Sequence, residues 1–351
     1  MPRAALIVDG MKYEGWQTIS VSRSIRAISG RFELGVTEVF PGSPGRWPIF
    51  PGSACKVTLD GYTVISGHID SRSAAFDEGS HNVSVSGRDK TADMVDSAPN
   101  IGTYELLGLT ALQIGAKLAA PFGVSISSAV AGLKKLDRFD IQPGETAYEC
   151  LDRACSLSGV FATGQVDGTI LLSRASTRRA LTSLKEGVNV KSASYEANHE
   201  NRFRTYIVGG QHFGNNELFG EDASGVEGRA TDPNIRAPRT AYIRTSSNLS
   251  AAQAGERAAW EAANRLANSN ALSVIVQGWQ QVDGGPLWEI NTVVPVDIPT
   301  LGISGNFVIS DIDFTQNESG TITSMKLAPP GSFTPSPEVP ESGSSSYAEY
   351  F

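Results

Sequence analysis

The sequence predicts a mainly β protein with an α+β part in its middle. Three observations carry this. Short apolar–polar alternations, the mark of half-buried strands, fill both ends of the chain. Helices announced by capping boxes fall between about residues 98 and 184. Glycine is abundant, at 36 of 351 residues, in a chain whose apolar runs are short.

Along the first hundred residues, Ile19 and Val21 alternate with polar neighbours, and Phe32, Leu34 and Val36 do so again. In "KVTLDGYTVISGHID" two β-branched runs flank Asp60-Gly61, and Asp-Gly supplies the positive φ of a two-residue hairpin turn. "VSVSGRDKTADMVDSA" then starts as a strand, with Val83 and Val85 alternating, and is expected to break at Gly87 into a charged run. This spacing predicts a small sandwich or barrel. Helical signals follow. Thr110 with Gln113 and Thr146 with Glu149 are capping boxes, and Leu112, Ala116 and Ala119 form the expected apolar stripe of the first helix. Leu151, Ala154 and Leu157 do the same for the second, before a C′ glycine at Gly159. "VFATGQVDGTILLSR" reads as a hairpin turning at Asp167-Gly168.

The strand pattern returns at Gly187. Residues 214–238 are polar and without periodicity, so they read as a long exposed loop. "SAAQAGERAAWEAANRLANS" predicts a third helix with a box at Ser250 and Gln253, about 27 Å long at ~1.5 Å per residue. Strands resume in "ALSVIVQGWQ", "TVVPVDIP", "NFVISDIDFT" and "TITSMKLAPP". The last twenty residues are rich in Pro and Ser, carry Glu338, Glu341 and Glu349 and no basic residue, and read as a disordered tail. The pattern as a whole is two β modules of similar size, one at each end, with helices between and inserted.

Composition excludes several classes. A net charge of −8 and a pI near 5.2 are not the footprint of a protein that grips nucleic acid, which clusters Lys and Arg. Three cysteines, Cys55, Cys150 and Cys155, make no disulfide framework. No run approaches the ~20 apolar residues of a membrane helix, and Ala4 to Val8 is too short for a signal peptide core. The expectation is a chain that folds in a reducing cytoplasm with no stable membrane association.

The residues that could carry chemistry fail its geometric requirements. Gly87 lacks the second glycine and the Lys-Ser/Thr of a phosphate loop, although Lys90-Thr91 follows. Asp93 and Asp96 share a helical face, but acid–base work needs carboxylates facing each other across a substrate, and charges at a strand end more often pair with a neighbour such as Arg88. His68, His81, His199 and His212 are scattered. Cys150 and Cys155, five apart, are expected on different faces of one helix, wider than zinc-ligand spacing, and read as buried free thiols. The stretch around Asp311 and Asp313 lacks the glycine and terminal Glu of a calcium loop and suits a strand. Trp279 and Trp288 flank Asp283-Gly284-Gly285. They could bind sugar if exposed together, but core or interface anchoring is the plainer reading. No catalytic, cofactor-binding or metal-ligating residue is predicted. A cell-wall hydrolase and a carbohydrate-binding β module stand as the alternative readings.

The chain resembles the baseplate hub proteins of Mu-type contractile phage tails, a family related to the base of type VI secretion spike proteins. The resemblance runs through "VTLDGYTVISGHIDSR" and "HNVSVSGRDKTADMVDSA", through "LTALQIGAKLAAPFGVSI" and "IQPGETAYECLDRACSLSGVFATGQVDGTILLSR", and through "NRFRTYIVGGQ" and "VIVQGWQQVDGGPLWEINTVVPVDIP". It does not extend to 214–238 or to the tail after Pro330.

The resemblance implies two tube-like β-barrels: residues 1–97 as the first, and 185–213 with 270–330 as the second. A smaller α+β middle domain would span 98–184, an inserted loop and helix 214–269, and a flexible acidic tail 331–351. It further implies a non-enzymatic homotrimer whose six barrels form a ring. That ring would join a sixfold tail tube protein to a threefold central spike among other baseplate proteins of the virion, with DNA only as passing cargo. An acidic chain suits a net-negative bore, because a basic one would hold the DNA phosphates. Tyr347, Tyr350 and Phe351 at the end of the tail are expected to anchor in a neighbour's groove.

Overall fold

The computed structural model describes residues 3–37, 49–76, 81–211, 226–248 and 251–333. The N-terminal strands are β1 (Ala4–Val8), β2 (Met11–Tyr13), β3 (Thr18–Ser24), β4 (Arg31–Thr37), β5 (Ala54–Leu59), β6 (Tyr62–Phe76) and β7 (His81–Asp89). A short helix, α1 (Ala92–Asp96), leads away from them. The middle unit holds β8 (Glu105–Thr110), α2 (Ala111–Ala119), β9 (Ile126–Ser128), β10 (Lys135–Asp140), α3 (Ala147–Leu157), β11 (Phe161–Gly164) and β12 (Ile170–Ser173). Then come β13 (Leu184–Lys185), β14 (Val190–Ala197), β15 (Thr205–Gln211), β16 (Val226–Thr231), β17 (Thr240–Asn248) and α4 (Ala251–Asn268). The chain closes with β18 (Asn270–Gln277), β19 (Val293–Ile298), β20 (Ile303–Asn317) and β21 (Gly320–Ala328).

Both ends of the chain enter one sheet of thirteen strands. Its order is β14-β18-β21-β20-β3-β4-β7-β6-β5-β1-β2, with β19 on β20 and β13 on β19. No closed barrel is found among the described residues. Alternation sets the inner face: Ile19, Val21, Phe32, Leu34, Leu272, Val274, Ile312 and Phe314 are all buried in one common apolar core. Each such side chain contributes on the order of 1.5–3 kcal/mol by leaving water. Asp60 and Gly61 turn the β5–β6 hairpin at φ 50° and 86°, as the Asp-Gly signal requires.

The middle unit has its own core, in which α2 and α3 pack over the β8–β10 and β11–β12–β9 sheets. Both capping boxes form, Thr110 with Gln113 and Thr146 with Glu149. The buried stripe of α2 differs from the expected one. It is Ala111, Ile114, Gly115, Leu118 and Ala119, while Ala116 is exposed. Alanines at several phases satisfy the same period, so composition alone does not set the face.

Gly87 does not end its strand. β7 runs through it to Asp89, because the absent side chain lets the strand lie against the His68 carbonyl and the Phe32 ring. The expected loop at 214–238 contains β16, which pairs with β15. β15, expected in the second barrel, instead joins β16 and β17 in a separate small sheet under α4, with Tyr206, Val208, Ala254 and Ala258 buried between them. Gly228 makes this possible, since a Cβ there would collide with the backbone of α4 at Ala254 and Gly255. Of the expected tail, residues 331–333 belong to a 3-10 turn, Pro330–Phe333, with Phe333 beside Phe161. Residues 212–225 with His212, Ser250 of the third box, and 334–351 with Tyr347, Tyr350 and Phe351 lie outside the described residues.

Candidate assembly surface

The two ends of the chain repeat one strand arrangement. In the first, β3-β4-β7-β6-β5 lie side by side, and in the second β14-β18-β21-β20-β19 do. The match holds residue by residue. β6 and β20 each have 15 residues, and each carries a bulge just after an isoleucine, Ile69 and Ile309. Ile69 faces Gly87 and Ile309 faces Leu327. One strand further on, Phe32 and Leu34 face Gly87 and Val85, as Leu272 and Val274 face Leu327 and Met325. The apolar alternation therefore falls in the same phase in both repeats.

The repeats meet at a joint inside the chain. The second half of β20 pairs with β3, Asp311 opposite Ser24 through Gln316 opposite Ile19, while its first half pairs with β19. Phe314 faces Val21 across this joint, and both are buried. Asp311 and Asp313 thus stand on a strand, as their alternation predicts.

The charged run after β7 is a second junction. Arg88 forks to Asp96, its two terminal nitrogens 2.7 and 3.0 Å from the carboxylate oxygens, and its Nε donates to Asp70 at 2.7 Å. The Arg88 guanidinium holds the Asp96 carboxyl below its usual range. Asp93 is exposed. Asp89 is 4% exposed and accepts hydrogen bonds from the Gly30 N–H at 2.6 Å, the Thr91 N–H at 2.9 Å and the Thr91 hydroxyl. Burial pushes the Asp89 carboxyl pKa up, opposed by these donors and by Arg23. Arg23 in turn donates to the Gly164 carbonyl at 2.6 Å, and Ser66 donates to the Val166 carbonyl at 2.9 Å. Through Arg88, Asp89 and Asp96 the run therefore ties the first repeat to the middle unit.

The remaining candidates are structural as well. Trp279 and Trp288 are 2% and 3% exposed and belong to the main core, so they offer no paired sugar platform. Cys150 and Cys155 are both buried, because α3 packs against α1, α2 and β11 on several sides. Burial pushes the Cys55 and Cys150 thiols up to about 12 and Cys155 up as well, which disfavours the reactive thiolate at all three. No cluster of three metal-ligating side chains occurs among the described residues, and no described helix is long and apolar enough to cross a membrane. Sequence reasoning missed the buried pair Arg202–Asp232, 2.7 Å apart, which ties the β14–β15 connection to the end of β16. Nothing local marks that pair, because its members are thirty residues apart and meet only through folding.

A repeated sheet with an internal joint, a charged run tied to the middle unit and buried thiols makes the described part of the chain a jointed β scaffold. Comparison with known proteins places it further. Residues 3–89 match the Mu phage baseplate assembly protein GpP-like N-terminal family, 91–174 the baseplate hub protein gp44-like second domain, and 250–336 the Mu phage baseplate assembly protein GpP fourth domain. The chain is 32% identical over 333 residues to baseplate hub protein gp44 of Escherichia phage Mu, covering 92% of this chain and 87% of that one. The crystal structure of the 43 kDa tail protein of prophage MuSo2 from Shewanella oneidensis superposes with a TM-score of 0.86 at 31% identity, over 95% of this chain and 99% of that one. A tail protein from Neisseria meningitidis MC58 shares the fold at 23% identity, TM-score 0.82, over 95% and 98% of the two chains. The chain belongs to the Mu-type baseplate hub family and is a structural component of the virion tail.

Proposed function

We propose that three copies of this chain form the hub ring, each contributing two sheet repeats, so that six similar modules surround a central opening. Six modules of one kind mate with a sixfold tail tube protein on one side. Three chains mate with a threefold central spike on the other, and DNA passes between them as cargo. Two similar modules in one polypeptide are what reconciles these two symmetries. The single observation that supports this reading most directly is the residue-by-residue match of the two repeats. The bore is net negative in this reading, so it does not retain the phosphates. The expected mass by light scattering is three times the 37.2 kDa of one chain, and particle averages show a ring with a hole. A monomer at all concentrations, alone and with a spike partner, rejects the reading. A bore that titrates as basic rejects its charge.

A further inference from the structure

A cleft of about 490 Å³ lies where three parts of the chain meet. Arg23 comes to it from β3, Thr163 and Gln165 from the β11–β12 hairpin, Arg174 and Arg178 from the β12–β13 connection, and Glu289 from just before β19. Three arginines against one carboxylate make this lining positive in a chain whose net charge is −8. Two of the three are answered: Asp89 lies near Arg23, and Arg178 donates to Glu289 and, at 3.0 Å, to the Thr292 hydroxyl. Arg174 donates through Nε to the Gly159 carbonyl at 3.0 Å. Neither Arg174 nor the exposed Arg179 has a carboxylate partner among the described residues. A guanidinium with free N–H groups takes a carboxylate through two bonds at once, and a cleft that sheds water strengthens the pairing.

We propose that this cleft binds the chain's own acidic tail, with Glu338 and Glu341 against the Arg174 side. Residues 334–351 carry Glu338, Glu341 and Glu349 and no basic residue. They start after Phe333, whose ring centroid is 6.3 Å from that of Phe161. Phe161 opens β11, and Thr163 and Gln165 further along line the cleft, roughly 7–13 Å away at ~3.3 Å per residue. Glu338 and Glu341 lie within about 16 and 25 Å of Phe333 along an extended chain at ~3.1 Å per residue, so both can arrive. Pro335, Pro337 and Pro340 favour that extended form, which lowers the entropy lost on docking. The hollow beside Phe333 itself presents Asp152, which repels an acidic segment. A tail bound at Arg174 and beside Asn291 straps the middle unit to the second repeat. The proposal does not depend on the number of copies in the hub.

Disulfide trapping on the full chain tests it. Thr177 is exposed and lines the cleft, and the native thiols are buried, so Glu338→Cys with Thr177→Cys leaves the core alone. Mild oxidation of the double variant is expected to give an intrachain disulfide, and a mixture of the two single variants no covalent dimer. Dimers from the mixture without the intrachain form overturn docking within one chain and assign the cleft to a neighbour's tail. Absence of both overturns the proposal altogether. Charge separates docking from mere tethering. Adding Arg174→Glu to the double variant is expected to slow trapping about fivefold, adding Glu341→Lys to do the same, and the two together to restore it. Trapping at one rate whatever these charges overturns the docking. Glu341→Cys with Ala175→Cys is the second pair if the first folds poorly, with Glu338→Lys as its charge variant. None of these outcomes alters the particle mass, so the proposal and the hub-ring reading fail separately.

Discussion

Asp89 shows how one side chain converts a strand end into a domain junction. Its carboxylate is buried yet meets backbone donors from the β3–β4 connection and from its own turn, so its charge is compensated where it sits. Asp89→Ala leaves the Gly30 and Thr91 donors buried without their acceptor. The expected loss is about 2–4 kcal/mol, read as a lower denaturant midpoint, with Asp93→Ala as a neutral surface control. A glycine does the complementary work nearby. Gly67 lets β6 pass so close to Arg88 and Asp89 that any Cβ would collide with their backbone. The sequence shows a charged run at this place, but which carboxylate is buried follows from the approach of a loop some sixty residues earlier.

At the scale of elements, α3 is held by more than its capping box. Glu145, just before the helix, receives two hydrogen bonds from Arg153 at 2.8 Å, one from the Gln142 N–H at 2.9 Å and one from the Cys150 thiol. The bond from Arg153 does most to lower its carboxyl pKa from 4.5 to about 2, against burial. A lowered folded-state value means that stabilisation is complete above about pH 4.5 and is lost as the pH falls toward 2. Stability of the parent is expected to drop by about 1–2 kcal/mol over that window from this group, after allowance for solvent screening. Glu145→Gln should be less stable at neutral pH and flatter on the acid side; an unchanged acid limb in chemical unfolding would count against the assignment. The capping boxes of α2 and α3 were legible because the relevant bonds span three residues. The α2 stripe and the β16 strand were not, since an alanine-rich period has no unique phase and a Gly-containing strand is chosen by the helix it lies under.

Across the whole molecule, the β3–β20 joint makes the two repeats one cooperative sheet over one core. Phe314→Ala is expected to cost about 3–5 kcal/mol and to lower hydrogen-exchange protection in β4 and β18 together. Loss of protection confined to β18 would mean that the repeats unfold separately. The sequence by itself determined the strand-rich ends, the Asp60-Gly61 turn, the capped middle helices and the hub-family resemblance. These are local or pattern-level properties, written within a few residues of one another. Only the tertiary structure decided that β20 crosses to β3 and that β15 leaves the main sheet for a small sheet under α4. Strand pairing joins residues up to some three hundred positions apart, and period-two alternation says which face is inward but not which strand lies alongside.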